Sequence, residues 1–168
     1  ARAQPLDVAV LHGCDVLLAD PRWMPGALSA LRWARQNGVP SVLDGDLSPR
    51  EDLQALAALA HWSVFSEAGL GSFAPGAGVA EGLALALDAG AELAAVTLGP
   101  RGVCWQRRGE PLHRMPAFAV AAADTNGAGD AFHAALVVAL AMRMADAEAM
   151  RFASATAAIK CQRAGGVA

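Results

Sequence analysis

Two aspartates, Asp124 and Asp130, bracket a glycine-rich turn in the segment DTNGAGDAF (124–132), and an apolar run follows. Glycine loses more freedom on folding than any other residue. A turn that concentrates it needs unusual dihedrals or lets something approach the backbone closely. The run DAFHAALVVALAM after the turn reads as a helix, so the glycines fall at a helix N-terminus. Unpaired amides and the macrodipole favour negative charge there. The amides of Asn126, Gly127, Ala128 and Gly129 would then point outward, with no bulky side chains in the way. The segment reads as an anion hole, and a phosphate suits it best.

Asp130 is electrostatically unwelcome beside such a site unless it faces a different reactant. If it faces an attacking hydroxyl, it can position that group and accept its proton late, which is what a loose phosphoryl-transfer transition state requires. The competing reading is structural: Asp124 or Asp130 merely caps the helix, a role worth about 1 kcal/mol. Spacing alone leaves both readings open.

The elements that must hold this turn alternate between strand-like and helical patterns. DVLLAD (15–20) reads as a buried strand, and GALSALRWARQNG as a helix with Leu28, Leu31 and Ala34 on one face and Gly38 as its stop. VPSVLDGD is a second strand. SPREDLQALAALA then carries a start signal, with Ser48 as cap, Pro49 at the first helical position and Glu51 closing a capping box. HWSVFS is a third strand, followed by a glycine-broken loop and a helix over 79–89 that ends at Gly90. ELAAVTLG is a fourth strand, and GVCWQRRGEPLHRM reads as a hairpin turning near Arg108 and Gly109. AFAVAAAD (117–124) is strand-like, and helices are expected over 128–142 and 146–162. Such alternation implies an α/β layer, a mostly parallel sheet with helices on both faces. Ligands of such sheets bind at the carboxyl ends of the strands, which is where DTNGAGDAF falls.

Composition narrows the classes. The 168 residues are 55% hydrophobic and 17% charged, with a net charge of -3, which describes one globular domain rather than a disordered chain. Without a basic surface, nucleic acid is not an expected partner. The longest apolar run, Ala134 to Met142, is about half of what a bilayer-spanning helix requires, and no signal peptide is visible. No membrane partner is expected, and the location expected is cytoplasmic. Cys14, Cys104 and Cys161 form no CxxC pair and read as buried free thiols. His12, His61, His113 and His133 show no metal or triad spacing, and His133 reads as structural. No GxxxxGK[ST] occurs, which excludes a P-loop mechanism, and GAGVAEG (76–82) lacks the spacing and preceding strand of a dinucleotide fingerprint. The opening ARAQPLDVAV has no initiator methionine, so a fragment, a processed chain and the ordered part of a longer protein all stay open.

DTNGAGDAF resembles the signature of the ribokinase-like (PfkB) family of sugar kinases, in which DTxGAGDxF precedes a helix. VTLGPRGVCW resembles the family's second nucleotide-binding segment, and MRFASATAAIKCQRAGG its closing helix beside the adenine. SVFSEAGLG looks most like the ketohexokinase-like branch. The resemblance covers nearly the whole chain and corresponds to the C-terminal half of such kinases. It implies a three-layer α/β/α fold lacking here the first strands and the β-lid. The implied chemistry is transfer of the γ-phosphoryl group of ATP, with Mg2+, to a hydroxyl of a small sugar. Asp130 then matches the catalytic base, and Gly127, Ala128 and Gly129 the anion hole. Thr97, Gly99, Gly102, Asn126 and Ser154 match nucleotide-binding positions. Asp124 and Asn126 fall where some relatives hold a monovalent cation. A homodimer stays open.

The chain departs from the family where an NxxE pattern usually follows the third strand. Ser66 stands at the Asn position, no Glu follows at the right spacing, and Glu67 reads as a solvated helix-start acid. Magnesium would then be held mainly by ATP oxygens and water. Asp44 and Asp46 stand either toward those waters or as turn and cap residues, and Arg22 and Trp23 either toward the sugar or in packing. A nucleoside kinase of the same family and a non-catalytic nucleotide-binding protein are the alternatives, because acceptor recognition lies mostly in the other half of such kinases.

Overall fold

The computed structural model describes residues 6–165. Six strands form one sheet whose spatial order equals their sequence order. They are β1 (Leu17–Ala19), β2 (Ser41–Gly45), β3 (Trp62–Ser66), β4 (Leu93–Thr97), β5 (Val103–Arg107) and β6 (His113–Met115). The first four run parallel, while β5 and β6 turn back as an antiparallel hairpin. The helices are α1 (Met24–Asn37), α2 (Arg50–Ala57), α3 (Glu67–Phe73), α4 (Val79–Ala89), α5 (Ala128–Ala141) and α6 (Asp146–Cys161).

Both faces of the sheet are covered, which is why its central strands are nearly all apolar. Alternate residues feed two separate cores. Leu43, Phe65 and Val96 pack against α1 to α4 together with Leu31, Leu53, Leu56 and Leu83. Val42, Val64, Leu93 and Ala95 face the other way and meet Phe132, Leu136 and Met150 of α5 and α6. Arg107 ties the second layer to the sheet: its guanidinium donates to both carboxylate oxygens of Asp146, at 2.6 and 2.8 Å.

Three local expectations need correction. Ser48 does not cap α2, which starts at Arg50 with Pro49 as its extended N-cap and no side-chain cap. The Ser48 carbonyl instead accepts from the Ser72 hydroxyl at 2.5 Å. The strand-like run 117–124 joins no ladder. It follows Pro116, which has no N–H to donate, and its apolar side chains line a cavity instead. The expected loop after β3 holds a helix, α3, because the Ser66 hydroxyl accepts from the Gly69 amide at 2.9 Å as N-cap. Gly69 weakened the helical signal for a packing reason: a Cβ there would overlap the carbonyl oxygen of Gly45.

Candidate active site

The carboxyl ends of β1, β2, β3 and β4 bring Asp20, Asp44, Asp46, Ser66 and Thr97 to one rim of the sheet. The first turn of α5 meets that rim, where the charge of Asp130 acts on Asp44 and Arg22. Gly127 is the N-cap of α5 in the left-handed region, φ 73°, which favours glycine. Neither aspartate caps the helix. Asp124 folds back on its own turn, its Oδ1 accepting from the Asn126 amide at 2.9 Å and its Oδ2 from the Gly165 amide at 3.1 Å. Those two amides hold the Asp124 carboxyl below its usual range. Asp130, in the first turn of α5, has no hydrogen-bond or ion-pair partner among the described residues.

The amides of the turn divide. Asn126 N–H is taken by Asp124, and Ala128 N–H donates to the Thr125 carbonyl at 3.1 Å, so these two do not point outward as expected. The amides of Gly127, Gly129 and Asp130 have no protein acceptor among the described residues. They remain for an anion at the positive end of the helix.

On one side of the turn opens a cavity of about 560 Å3, within the range of small-molecule sites. Thr97, Gly99, Gly102, Ala128, Gly129 and Ser154 line it, so six of the residues singled out in the sequence meet there. Asp124, Asn126, Gly127 and Asp130 lie on the adjoining turn and do not line it. Ala117, Phe118 and Val120 supply an apolar wall, and Cys161 also lines the cavity rather than lying in the core. Thr97 is fixed by its hydroxyl, which donates to the Phe65 carbonyl at 3.4 Å. Gly102, φ 90°, lets β5 leave the turn beneath the Met115 carbonyl, which a Cβ would strike.

On the other side of the turn lies an acidic rim. Asp44 is largely enclosed, and burial raises its carboxyl above the usual value. His133 opposes that shift, while Asp46 and Asp130 add to it. His133 is buried as expected, its Nδ1 2.9 Å from the Gly129 carbonyl and its Nε2 3.6 Å from Asp44 Oδ1. It therefore links the first turn of α5 to the end of β2, a connection the sequence did not reveal. The Asp46 carboxyl is lowered by the Leu47 amide and by the Ser66 hydroxyl, which donates at 2.8 Å. Arg22 is exposed, pairs with Asp20 at 2.9 Å, and is raised first by that bond and more weakly by the charges of Asp44 and Asp130. Trp23 lies over Gly26 and packs against α1. Glu67 pairs with Arg101 at 2.5 Å on the surface.

The family profile described as "pfkB family carbohydrate kinase" matches residues 3–168. A ribokinase from Haemophilus influenzae is 40% identical over 78 residues, 46% of this chain and 25% of that protein. A crystal structure of a candidate ribokinase from Agrobacterium tumefaciens superposes with a TM-score of 0.91 at 35% identity, covering 98% of this chain and 55% of that one. A structure of a candidate ribokinase II from E. coli, solved with ATP and Mg2+, shares the fold at a TM-score of 0.85 and 19% identity, over 96% of this chain and 56% of that one. The chain thus spans about half the length of the solved relatives it matches. Its fold is the ribokinase-like α/β fold, and the chain belongs to the pfkB family of carbohydrate kinases.

Proposed function

We propose that this chain is the nucleotide-binding and proton-accepting part of an ATP-dependent sugar kinase. The observation that carries the reading is the turn 124–130, with three free amides at a helix N-terminus between a nucleotide-sized cavity and an unpaired carboxylate. The adenosine of ATP would lie against Phe118, Val120 and Ser154, and its phosphates would run toward Gly127 and Gly129. Magnesium arrives with ATP as part of the substrate. Among the described residues no cluster of three or more His, Cys, Asp or Glu side chains is close enough to hold it alone.

In the transfer, an acceptor hydroxyl oxygen forms a bond to the γ-phosphorus, and the bond to the β–γ bridging oxygen breaks, releasing ADP. The hydroxyl proton passes to Asp130. The amides of Gly127, Gly129 and Asp130 stabilise the charge spread over the transferring oxygens. His133, through the Gly129 carbonyl and Asp44, steadies the turn that carries both functions.

The test is ADP release by the full-length protein over ketoses, aldoses and nucleosides, with Asp130→Asn beside it. Turnover on a sugar that falls at least about a hundredfold in the variant, with ATP affinity kept, is expected for a lost general base. Near-full activity of Asp130→Asn would remove that residue from the role. Turnover confined to a nucleoside would correct the acceptor class, and ATP binding without turnover on any acceptor would overturn the kinase reading.

A further inference from the structure

The resemblance implies a monovalent cation at Asp124 and Asn126, and the donors present do not fit one. The carboxylate of Asp124 already accepts two backbone amides. Its carbonyl accepts from the Lys160 ammonium at 3.2 Å, and the same Nζ stands 3.9 Å from its Oδ2. A potassium-like ion needs a shell of oxygens free of other cations. Here a side-chain cation occupies two of those oxygens and repels a second charge.

Lys160 is held in this position. It sits in the last turn of α6, and the carbonyl of Cys161 next to it accepts from the amides of Ala123 and Asp124 at 2.7 and 3.1 Å. The loop and the helix are therefore joined by backbone as well as by the ammonium, and the lysine side chain is only 14% exposed. Its stem also reaches the anion turn, since a Cβ built on Gly127 would lie 3.8 Å from Lys160 Cε. The fixed charge thus stands behind the turn whose amides of Gly127, Gly129 and Asp130 are free. A positive charge there adds to the field of the α5 N-terminus on any bound phosphate.

We propose that the Lys160 ammonium stands in for a monovalent cation, fixing the Asp124 loop and backing the phosphate turn with a permanent positive charge. Lys160 is a positioning residue in this scheme. Phosphate binding to the turn needs no potassium. The catalytic consequence rests on the kinase reading, whereas the binding consequence does not.

The test compares the full-length native protein with Lys160→Met and Lys160→Arg, in potassium chloride and in tetramethylammonium chloride at equal ionic strength. ATP affinity is read by calorimetry without any acceptor, turnover by ADP release, and fold by thermal melting. Native affinity and turnover should not depend on which salt is present. Lys160→Met should bind ATP or turn over about tenfold less well, the order expected for one charge acting over ~10 Å at an effective dielectric near 20. Potassium, and not tetramethylammonium, should restore part of that loss, and Lys160→Arg should keep most of the native values. A potassium-specific gain in the native protein would overturn the proposal, as would native behaviour of Lys160→Met. A loss that neither potassium nor arginine recovers would reduce Lys160 to packing and overturn it too. Asp130→Asn separates the two readings, because loss of the base leaves the calorimetric result in place.

Discussion

Replacing Gly129 by alanine should make the protein more stable and less active, and the structure sets both magnitudes. Gly129 is the second residue of α5, exposed and helical, and a Cβ built there meets no atom within 4 Å. The folded state would lose no contact while the unfolded chain loses freedom, a gain of roughly 0.5–1 kcal/mol. For a chain of this size that raises the melting temperature by about 1–4 °C. The added methyl, however, stands beside the free amides of Gly129 and Asp130, where a phosphate oxygen must come within hydrogen-bond distance. Displacing the transferring group by ~1 Å costs on the order of a hundredfold in rate. Thermal melting and coupled ADP release at saturating acceptor read the two effects on one sample. Raised stability with unchanged kcat/KM for ATP would refute phosphate contact at this amide. A lowered melting temperature would refute the open space around the position.

Three further perturbations test the scaffold. Gly69→Ala drives a methyl into the Gly45 carbonyl, and backbone on both sides leaves little room to relax. A loss of about 1–3 kcal/mol is expected in urea unfolding, and native stability would contradict that contact. Ser66→Ala removes the α3 cap and one donor to Asp46, at a cost of about 1 kcal/mol near neutral pH. Because the folded Asp46 carboxyl is lowered, its stabilisation is present above its ordinary 3.8 and lost as pH falls through the folded value. The variant should show a shallower acid-side loss, and an unchanged slope would exclude the hydroxyl as a cause. Asp44 has the opposite sign. Its folded carboxyl is raised, so the protonated form favours folding and stability falls as pH rises from 3.8 through the folded value. Asp44→Asn stays neutral at every pH and should flatten that fall, whereas parallel pH profiles for variant and native protein would refute the burial argument.

Most of the elements, and the turn on which the proposed site is built, were legible in local sequence patterns. Periodicity and stop signals placed the helix over Val79–Ala89 with Gly90 at its end, and the hairpin turning at Gly109. Those signals are local, being set by burial on one face and by backbone dihedrals. DTNGAGDAF marked the turn because clustered glycines before an apolar helix signal unusual dihedrals or a close approach to the backbone. Local pattern also misled where a residue's role depends on a distant partner. Gly69 looked like a helix breaker, yet it lets α3 pass the Gly45 carbonyl. Ala117 to Ala122 looked like a strand, yet they wall the cavity. It took packing between elements to bring Asp44 to His133 and Lys160 to Asp124, and to leave Asp130 without a partner at the rim among the described residues. Each of those pairings joins residues from separate elements, and their energies depend on distance and burial, which exist only once the chain has packed.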